Sequence, residues 1–428
     1  MSRALDVYLH TDFVGNLIQN EHGEMVFTYA ESWLGQPRAV PLSHSLPLRK
    51  EAFSRNECRG FFAGILPEET KRELVARNLG ISARNDFAMI ELIGGECAGA
   101  VTFIPAGEKL PAQDYQYKPL SEGDLARILK ELPRRPLMAG EDGIRLSLAG
   151  AQDKIAVHVA GDKISVPLGG APSTHILKPA IAHFEGVVFN EATCMKLAAA
   201  IGLPVAPVEI RHVEGIDFLL VERYDRKDFL LPTGIGFSSP TLYLGKQRMH
   251  QEDFCQALGI VSENKYQREG GPSLKNGFEL LRDVSTTPVI DLQRFLDAII
   301  FNFLVGNHDA HGKNFSLTAD QGGLLNQASI RLAPLYDIVC TAFYPELSRK
   351  MAMKIGGEYE SSKIYPHHFE KMAEECGLAK PLVKKRVTEL AAAIVAALDT
   401  ITIPHPVADG VKALIREHSQ RTIELFRD

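Results

Sequence analysis

From residue 291 to 314 the chain reads "DLQRFLDAIIFNFLVGNHDAHGKN". Phe295, Leu296, Ile299, Ile300, Phe303 and Leu304 recur at helical spacing, so 291–307 is predicted as a helix with one buried face. That helix runs straight into a crowded polar stretch. Two imidazoles (His308, His311), a carboxylate (Asp309), an ammonium (Lys313) and a carboxamide (Asn314) follow in quick succession. Any fold for this chain must bury the helix and still present that cluster.

Three chemistries compete for the cluster. In the first it is a capping turn, with Asn307 and Asp309 as caps and the histidines as hydrogen-bonded core polars. In the second it is a metal-hydrolase cluster, because "GNHD" is similar to the metallophosphoesterase signature. That family also needs an upstream DxH, a GDxxD and a downstream GHxH, none of which occurs here in that order. The third is phosphoryl transfer, which needs a carboxylate near the attacking hydroxyl, oxygen ligands for magnesium and cations on the phosphates. Kinases place the catalytic Asp five residues before a metal-binding Asn, and Asp309 and Asn314 have that separation. A second metal-binding Asp is expected downstream, and Asp337 in "LYDIV" fits.

The upstream half supplies the rest in kinase order. "SLAGAQDK" (147–154) has small residues, Ala149, Gly150 and Ala151, that let backbone N–H groups approach an anion. Lys178 stands on the short predicted strand "THILKP", and Glu191 opens the following predicted helix as its ion-pair candidate. "VERYDR" (221–226) ends the last strand where a nucleotide hinge would run. Singly, each has a plainer reading: Lys178 as a solvated strand-end charge, Glu191 as an exposed helix-start charge, Tyr336-Asp337 as a turn initiator.

Composition sets the frame. The 428 residues are 45% hydrophobic and 23% charged, with a net charge of −6, so the bulk field does not recruit nucleic acid. Six cysteines without a CxxC pair read as reduced, mostly buried thiols of a cytoplasmic protein. The opening "MSRALDVYLHTDF" shows no apolar signal core, and no run is long enough to span a bilayer, so no membrane partner is expected. Short β-like runs and one helix fill 1–105, and a polar connector with a short helix fills 106–143. Hairpins flank a lysine strand and a helix over 144–225, and "RLAPLYDIV" (331–339) is predicted as a strand within a mainly helical 226–428.

"SLAGAQDK", "THILKP", "VERYDR", "QEDFCQALG", "KYQREGGP", "DAHGKNFS" and "LYDI" occur in this order. With "PLSHSLPL", "FFAGILPE" and "GGECAGAVTFIP" near the start, the chain resembles the HipA family, serine/threonine kinase toxins of type II toxin–antitoxin modules. The resemblance implies an α+β, bilobal kinase-like fold, closer to phosphoinositide kinases, with an N-terminal subdomain over 1–105 and a helical C-lobe. It implies ATP and Mg2+ as cofactors and Asp309 as catalytic base, with Asn314 and Asp337 on the metal. The nucleotide site it implies comprises Ala149, Gly150, Ala151, Gln152, Asp153, Lys154, Lys178, Glu222, Arg223, Tyr224, His311, Gly312, Lys313, Asn314, Tyr336 and Asp337. Ser147 matches the serine such kinases phosphorylate on themselves. The implied partners are a HipB-like helix-turn-helix antitoxin dimer, operator DNA through that complex, and a protein substrate, an aminoacyl-tRNA synthetase among the family's targets. Asn307 stands where ordinary kinases carry the histidine of HRD, which leaves the role of His311 open. A small-molecule kinase and a DNA-complex co-repressor are the alternative functions.

Overall fold

The computed structural model describes residues 3–110, 115–141, 144–181, 183–232, 241–320 and 329–427. Strand alternation builds the first unit. In β1 (Arg3–Leu9), Leu5, Val7 and Leu9 share one buried face. β1 pairs antiparallel with β2 (Asp12–Gln19), which pairs with β3 (Met25–Tyr29). Helices α1 (Glu31–Leu34), α2 (Arg55–Gly64), α3 (Glu69–Leu79) and α4 (Asp86–Ile93) follow, and β4 (Val101–Pro105) completes the order β3-β2-β1-β4. Phe27, Phe53, Phe62 and Phe103 join α2 to this sheet, with ring centroids 5.2–6.1 Å apart.

The second sheet begins inside the predicted connector. β5 (Gln116–Pro119) is an edge strand and α5 (Glu122–Glu131) follows it; residues 111–114 of the connector lie outside the described residues. With β6 (Ile155–Ala160), β7 (Lys163–Leu168), β8 (His175–Pro179), β9 (Val208–Val213) and β10 (Ile216–Glu222), it forms a six-stranded sheet ordered β5-β7-β6-β8-β10-β9. Both faces of β10 are buried. Phe218 and Leu220 enter a core shared with the first unit, whereas Leu219 and Val221 enter the core of the helical half. Helix α6 (Val187–Ala200) covers the second face and starts four residues before Glu191. Glu191 therefore does not open the helix, and it is 1% exposed, so the exposed-charge reading fails.

Beyond the hinge the chain is less purely helical than expected. β11 (Arg226–Pro232) and β12 (Thr241–Arg248) form a hairpin, and β13 (His250–Asp253) leads into α7 (Phe254–Ala257), α8 (Leu274–Val284) and α9 (Pro288–Leu304). β14 (Ser316–Asp320) lies between β13 and β15 (Ser329–Leu332). β16 (Lys350–Ile355), β17 (Glu358–Glu360), α10 (Pro366–Glu375), α11 (Lys380–Ala397) and α12 (Pro406–Leu425) complete it. These strands are short, and "HQED" has no apolar alternation to reveal it. The predicted strand over 331–339 stops at Leu332. Pro334 has no N–H to continue a ladder, Leu335 makes only an isolated bridge to Val205, and Asp337 takes φ 57°. Asp is among the few residues that adopt this left-handed conformation with little strain.

The first unit is locked to the segment 223–226 by a buried charge network. Arg226 Nη2 lies 2.9 Å from both oxygens of Glu96, and Arg223 Nη2 lies 2.7 Å from Asp225 Oδ2. Ser173 Oγ donates to Glu96 at 2.8 Å, and the Gly99 N–H donates to Asp225 at 2.7 Å. Burial opposes ionisation of Glu96, but the Arg226 and Arg223 guanidiniums outweigh it and hold its carboxyl far below the usual range. Glu96→Gln leaves two buried arginines under-compensated and is expected to cost about 3–5 kcal/mol in urea denaturation at neutral pH. Because the folded carboxyl is depressed, this contribution is present above the unfolded value of about 4.3 and fades as pH falls below it. A loss under about 1 kcal/mol, the scale of an exposed pair, contradicts the assignment.

Candidate active site

A cleft of about 650 Å³ runs between the second sheet and the helical half. Its floor comes from the end of α9. The helix ends at Leu304, and the chain turns away at Gly306, whose φ of 70° and 2.7 Å approach of an added Cβ to Ala342 favour glycine. Asn307 then caps the turn, its Oδ1 accepting from the Asp309 N–H at 3.2 Å. His308 is a satisfied polar, with Nδ1 3.2 Å from the Ser348 carbonyl. The capping reading thus holds for Asn307 and His308. It fails for Asp309, whose carboxylate faces the cleft and accepts from Tyr266 Oη at 2.7 Å. The two imidazoles have separate neighbours, His311 standing edge-on to the Tyr266 ring.

Electrostatics separate the two carboxylates. Asp309 reaches water through the cleft, yet protein crowds it; that desolvation pushes its carboxyl up to about 6, against the Tyr266 hydrogen bond and the Lys265 charge. Asp337 goes the other way: burial opposes its charge, but the Lys178 and Lys154 ammoniums hold it well below the ordinary range. Lys178 Nζ lies 2.7 Å from both Glu191 Oε1 and Asp337 Oδ1. Burial favours neutral Lys178, and the Asp337 and Glu191 carboxylates outweigh it, so the ammonium persists. Burial pushes His311 down to about 3, with Lys265 adding to the effect, so its imidazole is neutral.

Hard oxygen donors meet beside this lysine. Asn314 Nδ2 donates to Asp337 Oδ2 at 3.3 Å, and the buried Asn314 Oδ1 has no hydrogen-bond partner among the described residues. A buried, unpaired carboxamide oxygen beside an ionised carboxylate fits a small divalent cation. Above them the loop 149–152 lines the cleft, and Lys154 Nζ donates to the Ala149 carbonyl at 2.9 Å. At the far end Glu222, Arg223 and Tyr224 line the cleft, and the Tyr224 and Tyr336 rings stack at 5.4 Å. Their planar faces and the hinge backbone suit a flat heterocycle.

Not every expected residue turns inward. Asp153 pairs with Lys71 at 2.7 Å and does not line the cleft. Gly312 is also absent from the lining; an added Cβ would stand 2.6 Å from Pro272, so this glycine serves packing. Lys313 lines the cleft, but its ammonium is bound to Asp253 at 2.7 Å and the Gly64 carbonyl at 3.0 Å. The Arg223 side chain belongs to the Glu96–Asp225 network. Ser147 is fully buried and donates to the Ile65 carbonyl at 2.9 Å, so it is no solvated loop hydroxyl. Sequence reasoning missed Tyr266, Lys265 and Glu68 as cleft residues. "KYQREGGP" was visible as a motif, but nothing local tied its tyrosine to an aspartate 43 residues away.

Comparison with known proteins gives the family and the fold. Residues 146–398 match the model of the HipA-like C-terminal domain, and residues 5–104 match the HipA N-terminal domain. A putative kinase, Y4mE of Sinorhizobium fredii, is 47% identical over 392 residues, covering 91% of this chain and 89% of the relative. The serine/threonine-protein kinase toxin HipA of Shewanella oneidensis is 30% identical over 403 residues, covering 91% and 87%. A solved Shewanella oneidensis HipA, in complex with HipB and its operator DNA, superposes with a TM-score of 0.81 at 27% identity, covering 99% of this chain and 98% of that one. The chain has that protein's mixed α+β kinase fold, and it belongs to the HipA family of serine/threonine kinase toxins.

Proposed function

We propose that this protein is an ATP- and magnesium-dependent serine/threonine protein kinase, the toxin of a HipA/HipB-type pair. The observation that carries the reading is that Asp309, Asn314, Asp337 and Lys178 line one cleft, with Asp337 in contact with both Lys178 and Asn314. Asp309 accepts the proton of the attacking hydroxyl. Its pKa near 6 leaves it ionised at neutral pH but basic enough to take a proton. Asn314 Oδ1 and Asp337 would hold the magnesium, which would supply charge neutralisation on the phosphates. Lys178, kept charged and aimed by Glu191, contacts the phosphates, while the 149–154 loop offers backbone N–H groups. Tyr224, Tyr336 and the hinge backbone from Glu222 hold the base.

The solved relative's complex supports a HipB-like antitoxin dimer, and operator DNA through it, as partners. We take the acceptor to be a host protein, with an aminoacyl-tRNA synthetase as the first target to test. Such phosphorylation would halt translation. Action in the cytoplasm accords with six free, buried thiols. Among the described residues no helix is long and apolar enough to cross a membrane.

Asp309→Asn is expected to lower phosphotransfer about 10²–10⁴-fold while the fold and ATP affinity persist. In the unmodified enzyme, kcat/KM falls below about pH 6 because the base protonates there. Full activity of folded Asp309→Asn, or a flat profile through that range, contradicts the role. Asp337→Ala is expected to weaken Mg-ATP binding far more than metal-free nucleotide in isothermal titration; equal losses would make Asp337 merely structural.

Self-inactivation at Ser147 follows from the same loop. The hydroxyl is reachable only after its bond to Ile65 breaks and the loop leaves. A phosphate adds about −1.5 to −2 charges at pH 7 and blocks return to that buried seat. Mass spectrometry after incubation with Mg-ATP should find phospho-Ser147, and the modified protein should bind ATP weakly. Ser147→Ala should stop self-inactivation. Undiminished ATP affinity at full Ser147 phosphorylation overturns the mechanism.

A further inference from the structure

The segment 64–71, "GILPEETK", belongs to the N-terminal unit, at the junction of α2 and α3. It nevertheless lies across the cleft wall and touches both functional loops. Toward the phosphate loop, the Ile65 carbonyl accepts from Ser147, the Glu68 N–H donates to the Gly150 carbonyl at 3.2 Å, and Lys71 pairs with Asp153. Toward the catalytic loop, the Gly64 carbonyl accepts from Lys313 Nζ at 3.0 Å.

Glu68 is the charged centre of this strap. Its Oε2 accepts from Lys265 Nζ at 2.8 Å, and its Oε1 lies 3.5 Å from Lys313 Nζ. The side chain is 6% exposed, and the two lysines are nearly as buried. Lys265 is followed by Tyr266, the residue that donates to Asp309. Lys313 directly precedes Asn314. One carboxylate thus hydrogen-bonds the residue beside the donor to the proposed base and stands at ion-pair distance from the residue beside the proposed metal ligand, whose own hydrogen bonds go to Asp253 and Gly64. The backbone is held in strain to do so: Glu69, whose carboxylate also takes Lys265 at 3.0 Å, has φ 50°, a conformation non-glycine residues rarely adopt.

We infer that Glu68 is a positioning residue for phosphotransfer, set by the N-terminal unit to fix Lys265–Tyr266 and Lys313–Asn314 around the reacting phosphate. The inference rests on reading the cleft as a phosphotransfer site. It makes the N-terminal unit part of the enzyme's machinery rather than an appended module. It also gives the phosphate loop a seat outside the second sheet, so displacement of the strap would disturb both loops together.

The test uses the full chain, purified and assayed with Mg-ATP and an acceptor protein. Glu68→Gln keeps the shape and removes the charge. Its kcat is expected to fall roughly 100-fold, the scale of loss that ångström misplacement of reacting groups produces. KM for ATP should stay within about twofold, since Lys178 and the hinge are untouched, Lys313 keeps Asp253 and Asn314 keeps its bond to Asp337. Lys265→Met should give a similar loss, and the double variant should be little worse than either single one, because both break the same link. Wild-type kcat in folded Glu68→Gln, or fully multiplicative losses in the double variant, overturns the inference. If Glu68→Gln does not fold, Lys265→Met decides alone: a large kcat loss at unchanged KM supports the role and wild-type kcat removes it. An unmodified chain without phosphotransfer sinks the kinase reading itself, whereas an active unmodified chain beside a fully active Glu68→Gln sinks only the positioning role.

Discussion

The ammonium of Lys178 is the point on which the two halves of this molecule meet. It sits on β8 of the second sheet, is almost inaccessible to water, and is held by Glu191 from α6 and by Asp337 from the loop after β15. A buried cation is tolerated only with such partners; removing one from a pair like this typically costs about 3–5 kcal/mol. The same arrangement that satisfies the charge sets the distance between the sheet that would carry phosphates and the loop that would carry metal. Asn314 completes the cluster by donating to the second oxygen of Asp337.

Around that centre the fold places opposite demands on neighbouring groups. Asp337 is kept ionised by two lysines, while Asp309 is raised by crowding at the cleft floor. Two carboxylates with divergent proton affinities suit a division between holding a cation and taking a proton. Distant parts of the chain temper the rise at Asp309, because Tyr266 donates to it and Lys265, held by Glu68, sets its charge against it. The N-terminal unit also enters the hinge through Glu96, so it contacts the cleft region at the hinge and at both loops.

Much of this was legible in residue order. The helical spacing of Phe295 to Leu304 gave α9 its buried face, and the five-residue gap from Asp309 to Asn314 pointed to the site. The lysine strand and the following helix appear where motif order put them, and "VERYDR" spans the end of β10. Side-chain direction was less readable. Asp153 and the Lys313 side chain lie within motifs that read as nucleotide contacts, yet each finds an oppositely charged partner, Lys71 or Asp253, that is remote in sequence. Gly312 answers to Pro272 for the same reason: packing partners are set by tertiary structure. The polar strands β5 and β13 were missed because edge and short strands lack the alternation that marks half-buried ones.

Transfer of the γ-phosphate of ATP to a protein hydroxyl is the reaction proposed for this cleft. The most direct measurement incubates the purified chain and a host lysate with magnesium and γ-labelled ATP, then identifies the labelled residues. Label on serine or threonine of protein, lost when magnesium is chelated, is the predicted result. Label confined to small molecules, or transfer indifferent to magnesium, would contradict it.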